Sequence, residues 1–443
     1  MIKLLISKNN TYLLFWFSLT FLLLFKFLII THHTNIEDIL YSDQIKYWKL
    51  SDLLLNKKYF DEDFGFLRMP IYPLFLSFIR SISDEIIVII ITQTALGFFN
   101  IYLIYKISLF FDKKIGYLVI CLSLININLI NSSTFILTEA VFLTFYLYFL
   151  YFLMKYIFAE NINYKNNLNN IILSAVFLAL ASLTRPITIY YMAILPIIFF
   201  RKEFFSKKFI SLMVFILVYS ITISPWNFRN LNYYDSYGLS SSVADNLNGY
   251  YLPYIIANDS KISLIDARKK IQNDEILQKI NDKDEDKKKK YFFERIKNVK
   301  FMSIIESWVE GGLKQIFAPA IVETFYNLNV KKTSYSSIQL PSFLKQVEIF
   351  VFRNENKNLS YLIIFFVSLG IVFKIIMCNY FIKTYKKEIF LNALLLSLLL
   401  LNLAIVGPLG SARYRLAVEP ILIIYTSLSI KYLFTKVKLF NFY

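Results

Sequence analysis

Two carboxylates and a set of arginines stand beside hydrophobic segments, where charged side chains are costly. Asp43 lies in YSDQIKYWKLSDLLLNKKYFDEDFGFLRMPIYP (residues 41–73), a polar and aromatic stretch between two long apolar ones. Glu139 opens another apolar run in ILTEAVF, while Arg68 in RMPIYP, Arg185 in LTRP, Trp226 and Arg229 in SPWNFRN, and Arg413 with Arg415 in SARYR border others. Arginine suits phosphate because its planar fork donates paired hydrogen bonds and keeps its charge. A carboxylate beside it can take the proton of a hydroxyl. The set matches a substrate with an anionic head and an apolar tail. In a sugar transfer from a lipid phosphate the leaving group is already a stabilised anion, so a base for the acceptor and cations for the phosphate suffice. Taken singly, each arginine reads more simply as an interfacial anchor snorkelling to headgroups, and Asp43 reads equally well as the partner of a neighbouring cation.

The elements that must position these residues are membrane helices. A chain of 443 residues, 57% hydrophobic and 18% aromatic, with mean hydropathy +0.51, is too apolar for a soluble domain. The net charge of +17 follows lysines clustered beside apolar spans, which points to the positive-inside rule and excludes a nucleic-acid partner. At about 20 residues per crossing, about ten spans are expected, near residues 12–31, 86–108, 115–133, 138–158, 170–184, 187–200, 209–224, 359–380, 389–408 and 416–434. The first is longer than a signal-peptide core and is expected to be a retained anchor. The fifth and sixth are short, and Pro186 can break them. In the 41–73 stretch, Leu40, Asp43, Tyr47, Leu50 and Leu54 share one helical face, which puts the acid at the centre of an apolar surface.

Lysine and arginine pairs such as Lys113 with Lys114, Arg201 with Lys202 and Lys386 with Lys387 fall on one side, the cytoplasmic one by the charge bias. Asp43, Arg68, Glu139, Arg185, Trp226, Arg229, Arg413 and Arg415 then all face the other side, which argues for a composite site there. The expected organisation is an N-terminal transmembrane module over residues 1–230, with first-loop amphipathic helices over 36–83. An extracytoplasmic loop or lid over 231–358 and C-terminal transmembrane helices over 359–443 complete it. The run DKDEDKKKK in the lid reads as a solvated helix face.

Together these motifs resemble the polyprenyl-phosphate-sugar-dependent glycosyltransferases of the GT-C fold, in particular bacterial members similar to protein O-mannosyltransferases and lipid A aminoarabinose transferases. The resemblance rests on SDQIKYWKLSDLL, RMPIYPLFL, ILTEAVFLTFYLYFL, LASLTRP, SPWNFRN and GSARYRLAVEP, in that order, spanning residues 43–420. It implies an all-α polytopic bundle that transfers a sugar, with inversion, from a polyprenyl-phosphate donor to a hydroxyl of a cell-envelope lipid, glycan or protein. The implied setting is the outer, periplasmic face of a bacterial inner membrane. Asp43 would be the catalytic acid or base and Glu139 a second acid; Arg185, Arg229, Arg413 and Arg68 are inferred from charge to bind the donor phosphate. The family often has a second acid directly after the first-loop Asp, and here Gln44 follows, so a metal in that loop is not implied and a divalent cation stays open. No compact C-terminal domain like that of some relatives is expected.

Two other classes compete. A polysaccharide polymerase or lipid-linked oligosaccharide flippase would also be basic and multi-span with outer-face arginines, but has no need of the Asp43 helix followed by RMPIYP. A secondary transporter should show repeat symmetry and mid-span ionisable residues. No repeat is evident, and the acids and arginines cluster at span ends. Cys121 and Cys378 read as apolar core residues, and His32 and His33 as interfacial side chains. Trp16, Trp48 and Trp308 fit an interface belt, and Trp226, close to Arg229, suits stacking on a sugar ring.

Overall fold

The structure, a computed structural model, describes residues 14–24, 43–56, 60, 64–158, 164–195, 205–281, 284–318, 320, 357–384 and 389–436. Leu40, His32 and His33, most of the first span and the Arg201–Lys202 and Lys386–Lys387 pairs lie outside the described residues. The described chain is helical throughout, with no strand among the described residues. In order the helices are α1 (Leu14–Leu24), α2 (Asp43–Leu55), α3 (Ile71–Ile82), α4 (Ile86–Ser108), α5 (Gly116–Leu124), α6 (Ile127–Ser132), α7 (Glu139–Ile157), α8 (Tyr164–Ser182) and α9 (Phe205–Tyr234). There follow α10 (Ser242–Asn246), α11 (Leu252–Ser260), α12 (Leu264–Gln272), α13 (Glu275–Gln278), α14 (Glu285–Ile296), α15 (Phe301–Phe317), α16 (Lys357–Thr384), α17 (Ile389–Val406) and α18 (Glu419–Lys436).

The helix α7 is the centre of the bundle. It is apolar all round, the pattern of a helix with neighbours on every side, and it packs between α4 and α8, with α9 beyond α8. Its Tyr146, Leu147 and Leu150 share a core with Ile104 of α4, Leu178 of α8, Phe215 of α9, Leu398 of α17 and Tyr425 of α18. Lipid is as apolar as leucine, so such packing gains chiefly from close contact. The fully buried Ala175 and Ala179 give α8 a flat face in that core.

Four helices, or parts of them, are long and apolar enough to cross a membrane among the described residues: Ile86–Ser108, Glu139–Ile157, Phe209–Tyr234 and Asn392–Leu409. The expected span at 115–133 is two short helices: the Asn126 side chain accepts the Leu129 N–H at 3.1 Å and starts α6 afresh, ending α5 at Leu124. The step at Pro186 is a break: α8 ends at Ser182, Arg185 is extended as a residue before proline should be, and a 3-10 segment, Pro186–Ile194, follows. Pro225 does the opposite. It lies inside α9, which carries SPWNFRN as one continuous helix instead of a segment after the span. The Ile221 carbonyl that Pro225 cannot bond takes the Ser224 hydroxyl at 2.8 Å. Cys121 and Cys378 are exposed on the outsides of α5 and α16 and are not core residues.

Residues 242–317 form a helical cap with its own small core of Leu252, Ile255, Ile271, Tyr291 and Phe292. Its charged run is structural: Asp284 caps α14 by accepting the Lys287 N–H at 3.1 Å, and Lys288 reaches Asp245 at 3.0 Å. The cap seats on the C-terminal helices through Trp308, whose indole N–H donates to the Ala404 carbonyl at 3.2 Å, and through Tyr251, whose hydroxyl donates to Ile405.

Candidate active site

Glu139 opens α7 and is 5% exposed. A carboxylate so placed needs cations, and two arrive from segments distant in sequence: Arg413 Nε donates to Oε1, and Arg185 Nη1 lies 3.4 Å from the same oxygen. The Arg185 guanidinium stands 5.4 Å from the centres of both the Phe142 and Tyr414 rings. Among the described residues, no protein acceptor takes the other side-chain N–H groups of Arg413. Glu139, desolvated and paired, holds its Arg413 partner firmly protonated: against the opposing effect of burial, its charge raises the guanidinium pKa.

Asp43 opens α2, where Arg68 Nη2 donates to Oδ1 at 2.5 Å. The other carboxylate oxygen has no protein donor among the described residues. One hydrogen bond and one electrostatic coupling relate this pair to Glu139. The Gln44 side chain accepts the Ile136 N–H at 3.0 Å, three residues before Glu139. Buried Tyr47 lies within electrostatic reach of Arg68, Arg413, Glu139 and Arg185; burial raises its hydroxyl pKa and the arginines oppose the rise. RMPIYP and LTRP also meet, the Ile71 N–H donating to the Leu183 carbonyl at 3.2 Å.

Asp43 does not sit at the centre of the buried face of α2. That face is Gln44, Tyr47, Ser51 and Leu54, turned by one residue, because Gln44 and Ser51 find hydrogen-bond partners inside. Asp43 is left at its edge, 32% exposed. Ser51 accepts from Arg80 Nη1 at 2.6 Å, and Arg80 also binds Asp52 at 2.7 Å, Asp84 at 2.6 Å and the face of Trp48 at 3.8 Å. This peg fixes α2 against α3. The sequence reading missed Arg80, although its i,i+4 relation to Asp84 was a signal.

Among the described residues, three buried polar atoms in this region have no hydrogen-bond partner: Gln44 Nε2, Arg68 Nε and Glu139 Oε2. Buried polar groups are nearly always paired, so these two donors and one acceptor are open to a partner beyond the described residues.

The other expected site residues go elsewhere. Trp226 is buried, donates its indole N–H to the Leu239 carbonyl at 2.9 Å, and packs edge-on against Phe60 and Phe64. Arg229 donates to the carbonyls of Phe60 and Gly65, both at 2.8 Å. These two hold the loop that leads to Arg68. Arg415 binds Glu419 at 2.6 Å and the carbonyls of Gln315, Ile316 and Ala318 at 2.7, 2.9 and 3.1 Å, closing the C-terminal end of α15. Arg413 and Arg415 therefore leave one 3-10 segment, Ala412–Ala417, toward different acids.

Asp43 Oδ1 and Glu139 Oε1 are committed to arginine, which leaves one oxygen on each acid, fewer than the several a divalent cation takes. Among the described residues no three His, Cys, Asp or Glu side chains converge.

No family model matches the sequence, and no curated protein matches it. A solved structure does: the archaeal oligosaccharyltransferase AglB from Archaeoglobus fulgidus, determined with an inhibitory peptide and a dolichol-phosphate, superposes with a TM-score of 0.53 at 14% identity. The match covers 98% of this chain and 52% of that one, so the chain spans about half the length of its structural neighbour. Nearly the whole chain thus shares its fold with about half of that oligosaccharyltransferase, an all-α bundle that includes, among the described residues, four helices long and apolar enough to cross a membrane.

Proposed function

We propose that the protein is a membrane glycosyltransferase that moves a sugar from a polyprenyl-phosphate-linked donor to a hydroxyl acceptor at the extracytoplasmic membrane boundary. The observation that carries this reading is the convergence of two carboxylates, three arginines and three orphaned polar atoms at one end of the bundle. The fold likeness to an enzyme solved with a lipid phosphate supports it. Asp43 is the general base: Arg68 orients it by one oxygen, and the other is open to the acceptor hydroxyl. As the sugar's anomeric carbon bonds to that hydroxyl oxygen, its bond to the phosphate oxygen breaks and the proton passes to Asp43. Arg185 and Arg413, both held by Glu139, take up the charge that returns to the phosphate. The setting is a bacterial inner membrane, and the acceptor a lipid, glycan or protein of the envelope.

The test is a donor panel. The purified protein in detergent is given radiolabelled polyprenyl-phosphate sugars one at a time with an envelope acceptor fraction. Label moving to acceptor, with release of polyprenyl phosphate, is expected for one donor. A full panel left intact while lipid-linked oligosaccharide is elongated or translocated would replace the reading with a polymerase or flippase.

A further inference from the structure

A second polar centre lies on the other side of Ala412–Ala417. Between α5, α6, α16 and α18 there is a cavity of about 140 Å³, polar at one end, where Asn126, Asn128, Lys374, Arg415 and Glu419 meet. Elsewhere its wall is apolar, with Leu122, Phe373, Met377 and Leu422 among the lining residues. On α18 the lining positions Glu419, Leu422, Ile423 and Thr426 share one helical face. That face extends about 10 Å from the acid down the helix.

The charges at the polar end do not cancel. Glu419 is saturated by Arg415 at 2.6 Å, Asn126 at 3.1 Å and Asn128 at 3.3 Å. Arg415 spends its remaining reach on the carbonyls that end α15. Lys374 is left over: among the described residues it makes no ion pair, and its ammonium stands 5.3 Å from the centre of the Phe317 ring. An uncompensated ammonium on an apolar helix is expensive and is ordinarily met by an anion.

We propose that this cavity binds a phosphate-headed amphiphile, with Lys374 on the phosphate and the start of the chain along the Phe373, Met377 and Leu422 wall. Lysine serves here as a compact point charge. The proposal goes beyond the transferase reading and does not depend on it. Two sources share this chemistry, a membrane phospholipid and a polyprenyl phosphate. The cavity lies next to the proposed active site, since Asn128 donates to the Ala412 carbonyl at 2.8 Å, one residue from Arg413.

Native mass spectrometry of the full chain in non-ionic detergent tests it, with farnesyl phosphate, phosphatidylglycerol, farnesol and inorganic phosphate as probes. Wild type is expected to retain one of the two phosphate amphiphiles at least about tenfold more tightly than farnesol or inorganic phosphate, a difference of about 1.4 kcal/mol. Preference for farnesyl phosphate assigns the site to a polyprenyl carrier, and preference for phosphatidylglycerol to a membrane lipid. Lys374→Met should lower the number of amphiphiles retained per chain by one, apart from any held at Arg185 and Arg413 under the transferase reading. Gly370→Leu tests the cavity while keeping the Lys374 charge. A Cβ at Gly370 would lie 3.6 Å from Lys374 Nζ, in ordinary contact, and the longer side chain enters the cavity, so retention should fall there too. Unchanged retention in either variant, or retention by wild type of neither phosphate amphiphile above farnesol, overturns the proposal. Asp43→Asn should retain the amphiphile like wild type, which separates a failure of this site from a failure of the transferase reading.

Discussion

Glu139→Gln turns one buried carboxylate between two guanidinium groups into two cations facing an amide. Glu139 is 5% exposed, and the side chains of Arg185 and Arg413 are 12% and 32% exposed. Removing one partner of a buried ion pair costs about 3–5 kcal/mol. Arg413 keeps part of its hydration, which sets the expectation at the lower end, about 3 kcal/mol. Reversible unfolding in mixed micelles, followed by tryptophan fluorescence, measures it. Adding Arg413→Met to the variant removes the second cation and should return about 2 kcal/mol, because the repulsion goes with it. Phosphate supplies a third reading: at about 100 times its Kd it should restore about 2.7 kcal/mol to the single variant, and less to wild type, where Glu139 already neutralises part of the arginine charge. A loss below about 1 kcal/mol in Glu139→Gln, or a double variant no more stable than the single, would refute the view that this acid organises the arginines.

Other consequences can be checked alongside. Arg80→Met should lower stability by about 2 kcal/mol in the same unfolding assay, since it removes hydrogen bonds to Ser51 and Trp48 and leaves two partly hydrated acids. Arg229→Ala should loosen the loop around Phe60 and Gly65, seen as faster proteolysis there and a raised KM for the donor, with Arg229→Lys rescuing little because two carbonyls need the fork. In the cap, burial tends to raise the Asp274 pKa, but the Tyr291 hydroxyl at 2.8 Å, the Ile276 N–H at 3.0 Å and Arg295 outweigh it and hold the carboxyl below its ordinary 3.8. A depressed folded value gives stability that is present above 3.8 and lost as pH falls through the lower value. Hydrogen exchange of α14 should therefore quicken below about pH 4, and Asp274→Asn should flatten that dependence.

The candidate cluster was legible in the sequence where a charge interrupts an apolar pattern. Asp43, Arg68, Glu139, Arg185 and Arg413 all stand at the ends of helices or in the turns between them, and the structure brings these five together. Which arginine meets which acid was not legible, because Arg413 and Glu139 are paired only by the packing of segments far apart in the chain. Trp226 and Arg229 look like substrate-facing residues in one dimension, yet α9 turns them to the loop that precedes Arg68. Gln44, which in sequence is only the residue that is not a second acid, turns out to fix α2 to the strand of chain leading into α7. Lys374 and Glu419 were missed for different reasons. Lys374 is a mid-span cation and could have been flagged on that ground alone, whereas Glu419 starts a span within GSARYRLAVEP and gains its meaning from Asn126 and Asn128. The span at 115–133 failed because hydropathy does not see an asparagine that restarts a helix.

The most direct test of the central claim compares two isosteric changes on the same helix, Asp43→Asn and Asp52→Asn, by initial rate of sugar transfer at saturating donor. Asp43 faces the cluster at Glu139, while Asp52 only pairs with Arg80. Loss of a general base costs about 10²–10⁴ in rate. The account predicts a fall of that size in Asp43→Asn, with Asp52→Asn close to wild type and both proteins equally folded. Ordinary turnover by Asp43→Asn, or an equal loss in both variants, would contradict it.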